Sequence, residues 1–175
     1  MVGLIYRRLL QIGKIASALT FLFGIPYGIW QYVEAQHDKK IEQSLKLFDK
    51  FNSPPFTDYR DKISKAAAKG RVQLNAAAAT KDLKVYEAAV LEVVERNEIE
   101  APLWLIMDFF DGVTICVVNG LCDPHTTSQL FTERARDVLL TFYQYIAANR
   151  KGPSSATFGY GLEFIATNGQ NKAGR

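Results

Sequence analysis

Between Ile15 and Val33 the chain runs through nineteen residues, IASALTFLFGIPYGIWQYV, without a charge. As a helix rising about 1.5 Å per residue, this stretch reaches roughly 28 Å, close to the hydrocarbon thickness of a bilayer. Ile15, Phe21, Phe23, Gly24, Pro26, Gly28, Trp30 and Val33 are therefore expected to lie in a single membrane span. Tyr27, Trp30 and Tyr32 gather at its C-terminal end, where amphipathic rings favour the headgroup layer. Gly24, Pro26 and Gly28 would weaken a soluble helix but are tolerated in lipid, and a kink is expected at Pro26. Two other readings compete. A core helix of a soluble protein rarely stays uncharged for so long. A cleaved signal peptide would be consistent with Arg7-Arg8 ahead of the run and with Val33 and Ala35 at a cleavage site, but the apolar run is longer than a usual signal core.

The charges around this segment say little about orientation. Arg7, Arg8 and Lys14 flank one end, and Lys39 and Lys40, with Lys46 beyond, flank the other, so the positive-inside comparison is a tie. All of these residues except Lys46 are expected at the membrane interface. From Val2 to Ile12, Arg7, Arg8 and Gln11 face one way and Leu4, Ile5, Leu9 and Ile12 largely the other. That pattern fits either a short interfacial helix or the first turns of a tilted span. Residues 1–40 carry five basic and two acidic side chains, which is the whole net charge of +3. The remaining residues are balanced, which argues against a nucleic-acid surface. With 48% apolar and 22% charged residues, the chain has the composition of a folding protein and not of a disordered one.

Beyond the span the helical pattern continues. Ile41, Leu45 and Phe48 recur at i, i+4 and i+7, with Phe51 extending the stripe, until Pro54-Pro55 stops the helix. This stripe is a candidate partner-binding face, and packing on the chain's own domain competes with that reading. The alanine-rich stretch from Phe56 to Thr80 predicts a helix interrupted near Gly70, with either close helix packing or a solvated surface. Leu83, Tyr86, Val90, Val93 and Val94 mark one face of a helix over 82–97. Glu100-Ala101-Pro102 opens the most apolar soluble helix, expected to be central and to end at Gly120. Asp123-Pro124 reads as the N-cap and first-turn proline of a helix running to about Asn149. TFGYGLEFIA is expected to dock onto the bundle, and residues 168–175 have the composition of a tail. The predicted class is all-α, with an anchor over 1–36, a stalk over 37–53 and a bundle of four to five helices over 54–167.

The chemistry-bearing residues are sparse. No phosphate-binding loop and no His-Glu-x-x-His pair is present, and His37 and His125 are isolated. Asp108 and Asp111 sit three apart in a strongly apolar run and would repel if buried together, as acid/base pairs do. The competing reading is structural: one carboxylate points to solvent while the other bonds a cation or a chain end. No matched ligand pair such as Glu-x-x-His accompanies them, so no metal, cofactor or catalytic residue is assigned. Cys116 and Cys122 straddle the Gly120 turn. They would be small buried hydrophobes in a reducing compartment and could close a loop disulfide in an oxidising one.

The order of a span, KKIEQSLKLFDKFNSPPFTDYRDKI, the apolar IMDFFDGVTICVVNGLCD and an amphipathic helix resembles a broad bacterial group of small membrane-anchored helical proteins of unknown function. The residues that carry the resemblance are Leu45-Lys46-Leu47-Phe48 and Phe109-Phe110-Asp111, and it covers most of residues 15–165. It implies a single-pass protein of the inner membrane with a cytoplasmic helical domain in preference to a periplasmic one, and it carries over no catalytic residues. Arg7-Arg8 departs from the group's weakly charged N-terminus. The function expected is non-enzymatic: an accessory, assembly or scaffolding subunit whose partners are membrane lipids and other membrane-protein subunits, with self-association a further option. A regulatory or stress- and phage-defence role is the alternative, followed by a metal-dependent enzyme using Asp108 and Asp111.

Overall fold

A computed structural model describes residues 2–151 and 156–168, with side chains over 24–151 and 156–167. Among the described residues there are six helices and no strand: α1 (Val2–Phe51), α2 (Phe56–Ala79), α3 (Leu83–Arg96), α4 (Glu100–Val118), α5 (Pro124–Asn149) and α6 (Tyr160–Asn168). The chain is all-α. It divides into two compact units, Met1–Lys39 and Lys40–Arg175.

In the first unit, α1 continues through Pro26. Gly24, Pro26, Gly28, Trp30 and Val33 are exposed, as are Tyr27 and Tyr32. The side chains of Ile15, Phe21, Phe23, Arg7, Arg8 and Lys14 lie outside the described residues, as does the predicted tail beyond 168.

The second unit begins at Lys40, so residues 40–51, expected as a stalk, pack with the bundle. Their inward face shares Phe48 and Phe51 with the predicted stripe but takes in Ser44 and Leu47 where the stripe had Leu45. Ser44 is fully buried, Leu47 and Phe48 pack against the core, and Phe51 is 1% exposed, whereas Leu45 is 45% exposed. A buried serine is tolerated here because its hydroxyl is fully engaged. Ser44 Oγ donates to the Lys40 carbonyl (3.0 Å), accepts from the Asp123 N–H (3.1 Å) and lies 3.0 Å from Thr127 Oγ1. This knot ties the end of α1 to the start of α5.

The core centres on Phe51. Its ring centroid lies 4.9 Å from Phe109, 5.7 Å from Phe110 and 5.8 Å from Phe131. α4 supplies the deepest layer, with Leu103, Ile106, Met107, Phe110 and Val113 at 0% exposure. By length and composition α4 is the one described helix that could cross a membrane, and its packing is that of a core helix.

α2 runs unbroken through Gly70, contrary to the interruption expected there. Ile63, Ala66, Gly70 and Ala77 form its buried face. A Cβ on Gly70 would come within 2.5 Å of Val93 Cγ2, so glycine permits the close approach of α2 to α3 without ending the helix. Gly120 closes α4 at φ 67°, and Asp123 caps α5 by accepting from the Thr126 N–H at 2.7 Å. α5 then kinks at Phe142 (φ −115°, ψ 18°).

Candidate functional site

Three helices distant in sequence frame an open groove of about 1200 Å³. α3 contributes Leu91 and Val94, α4 contributes Trp104 and Leu105, and α5 contributes Tyr145. Leu91, Trp104 and Leu105 are each more than a third exposed, an unusual concentration of large apolar side chains on one surface. Trp104 Nε1–H donates to Tyr145 Oη (3.1 Å), and that hydroxyl donates on to Glu100 Oε1 (3.4 Å). The indole also lies 4.3 Å from the Phe158 ring, which fixes its orientation. Burial raises the Tyr145 phenol to about 12, with the Glu100 carboxylate adding to the rise and the Trp104 bond opposing it.

The rim is acidic. Glu95, Glu98 and Glu100 line the groove, all exposed, and no lysine or arginine lines it among the described residues. Neighbouring bases are committed elsewhere: Arg96 to Glu92, Lys151 to Glu87 at 3.0 Å, and Arg150 to Glu163 at 2.8 Å. An apolar floor under an acidic rim suits a partner segment that is apolar on one face and basic at its edges.

Asp108 and Asp111, read in sequence as a carboxylate pair, separate in the fold. Asp108 is exposed. Asp111 turns inward and accepts the Gly161 N–H at 2.7 Å, so it serves the first turn of α6. Burial raises its pKa, the Gly161 bond lowers it, Asp108 raises it and Arg150 lowers it. A Cβ on Gly161 would sit 2.5 Å from the Asp111 Cα, so the close contact requires glycine. α6 is held further by Thr114 Oγ1 donating to the Gly161 carbonyl (3.1 Å) and by buried Leu162, Ile165 and Ala166. Among the described residues no three His, Cys, Asp or Glu side chains are grouped as metal ligands. His37 is exposed, and exposed His125 places Nε2 3.1 Å from Gln129 Nε2.

Cys116 and Cys122 form a disulfide with Cα atoms 5.2 Å apart. The Gly120 reversal brings them together, and both the Leu121 and Cys122 N–H groups donate to the Cys116 carbonyl. Cys122 is fully buried, next in sequence to the α5 cap.

Of the predicted partner stripe, Phe48 is taken up by the chain's own core, 5.8 Å from Phe131. Ile41 is half-buried, and Leu45 alone is exposed. Lys39 is exposed and Lys40 half-buried, its carbonyl accepting from both Asp123 N–H and Ser44 Oγ. The groove escaped sequence reasoning because Leu91, Trp104 and Tyr145 share no local period. The one signal pointing to it was Trp104 and Leu105, next to each other in the most apolar soluble helix. No protein-family model matches the chain, and neither a curated protein nor a solved structure matches it.

Proposed function

We propose that this chain is a single-pass, membrane-anchored accessory or assembly subunit that acts by binding and not by catalysis. The observation that carries this reading is the groove between α3, α4 and α5, with its exposed Trp104 and Leu105 and its rim of three exposed glutamates, none of them in an ion pair among the described residues. The occupant is a basic amphipathic segment of a partner subunit. The anchor is the uncharged run Ile15–Val33, whose C-terminal portion presents exposed Ile25, Tyr27, Ile29, Trp30 and Val33. The resemblance to small membrane-anchored helical proteins supports the same architecture. The Cys116–Cys122 bridge favours an oxidising compartment for the second unit, hence the periplasmic face over the cytoplasmic one that the resemblance implies.

Purification in mild detergent at native abundance tests the binding role. A stoichiometric partner should accompany the chain, and Glu95→Lys with Glu98→Lys should release it while the helical content stays unchanged. A partner-free monomer, or a partner indifferent to the charge reversal, refutes the reading. A reporter fused after residue 175 settles the face independently.

A further inference from the structure

A second cavity, of about 320 Å³, is lined by residues of α2 and α5 together with Phe51 of α1 and Ile106 of α4. Its apolar wall is formed by Phe51, Ile63, Ala67, Ile106, Val138 and Phe142, and Ser64 and Thr141 add hydroxyls. The α5 kink at Phe142 falls on this wall, and Thr141 Oγ1 donates to the Asp137 carbonyl one turn back, at 2.8 Å. The volume is that of a small-molecule site.

Two guanidinium groups line the same cavity. Arg60 lies 4.7 Å over the Phe51 ring and donates through Nη1 to the Phe51 carbonyl (3.2 Å) and to Asn52 Oδ1 (2.9 Å). Arg134 lies 4.9 Å over the Phe48 ring and donates through Nη1 to the Leu130 carbonyl (2.7 Å). Each group is held by an aromatic face and a backbone carbonyl, so neither must be ordered when a ligand binds. Each leaves Nε and Nη2 without a hydrogen-bond partner among the described residues, and neither guanidinium forms an ion pair there. Burial and the Arg134 charge both lower the Arg60 pKa, as expected for two like charges lining one cavity. Asp137 is the one acidic side chain on the cavity, and it is exposed. Two arginines and one aspartate leave a net charge of +1, which matches a singly charged head.

We infer that this cavity binds a small carboxylate with an apolar tail, the tail between α2 and α5 and the carboxylate bridging Arg60 and Arg134. Planar carboxylates match the guanidinium fork, and a charge-assisted pair in a partly desolvated mouth is strong enough to select the acid over its neutral counterpart. The site is separate from the acidic groove and does not depend on the partner-binding role.

The test uses the full chain in phosphatidylcholine nanodiscs, with empty nanodiscs subtracting bilayer uptake. Calorimetry with 3-phenylpropanoate as probe should give saturable one-to-one binding, and 3-phenylpropanol, acetate and inorganic phosphate should each bind about tenfold more weakly or worse. Arg60→Gln and Arg134→Gln should each weaken the acid by about tenfold. Asp137→Asn, on an exposed side chain, should tighten it. Ala67→Leu should abolish it by filling the cavity without touching either arginine. No saturable binding of the acid, equal binding of the alcohol or of phosphate, or unchanged affinity in folded arginine variants overturns the inference. Should the arginine variants fail to fold, Asp137→Asn and Ala67→Leu decide: unchanged affinity in both overturns it, and the expected opposite shifts sustain it.

Discussion

Replacing Gly70 with alanine should destabilise the bundle, although helix propensity alone says the opposite. In a helix interior, Gly→Ala is worth about 1 kcal/mol of stabilisation. Here the added methyl would meet Val93 Cγ2 at 2.5 Å and Cγ1 at 3.1 Å. Val93 is 2% exposed and β-branched on a helix, so it cannot swing aside without moving the α3 backbone. Overpacking of this kind costs about 1–3 kcal/mol, and a 2.5 Å approach to a rigid side chain belongs at the upper end, leaving a net destabilisation of up to about 2 kcal/mol. Val93→Ala alone should cost about 2 kcal/mol through the lost methyls and the space they leave. In that background the Gly70→Ala methyl enters the vacated space and the propensity gain reappears, so the substitution changes sign. The measurement is thermal unfolding of the full chain in mild detergent, followed by Trp104 fluorescence against a Trp30→Phe background. A shift of about 4 °C per kcal/mol is expected for a unit of this size. If Gly70→Ala stabilises in both backgrounds, α2 and α3 do not meet where described.

Three further outcomes follow from the same geometry. The Tyr145 pKa lies near 12, above the ordinary 10, so the stabilisation from its neutral form is intact below about pH 10 and is lost as pH rises through 12; tyrosinate absorbance should show a late titration that Tyr145→Phe removes. Asp111→Ala should cost about 1 kcal/mol by removing the acceptor for the Gly161 N–H, while Asp111→Asn retains an acceptor oxygen and should stay within about 0.5 kcal/mol; chemical unfolding distinguishes them, and a large asparagine effect would mean the charge itself is needed. Replacing Cys116 and Cys122 together with serine should cost about 2 kcal/mol by freeing a short loop in the unfolded chain, and the unaltered protein should resist thiol alkylation until reduced.

Local signals were readable where one residue decides one conformation. Asp123-Pro124 marks the start of α5 because a carboxylate cap and a fixed-φ proline suit no other place so well, and Gly120 marks a reversal that needs positive φ. The course of α2 was misread because glycine signals both a break and a close approach, and only the position of Val93 distinguishes the two. The inward face of residues 40–51 was read only in part, with Phe48 and Phe51 but without Ser44, for a related reason. An apolar period selects Ile41, Leu45 and Phe48, but the helix buries Ser44, whose hydroxyl finds partners on α5 that no local pattern reveals. Beyond the adjacent Trp104 and Leu105, the groove and the arginine cavity bring together residues that the sequence keeps far apart. Glu95 and Tyr145 come to line one groove, and Arg60 and Arg134 one cavity, only once the helices have packed.

The docking of α6 has a consequence for how the molecule is made. Leu162, Ile165 and Ala166 cover α4 and α5, yet they are translated after every other helix. Until they leave the ribosome, the surface they cover on α4 and α5 stays wet, and Asp111 lacks its backbone donor. A nascent chain stalled before residue 160 is therefore a sticky, incomplete bundle, the form that chaperones and proteases would meet first.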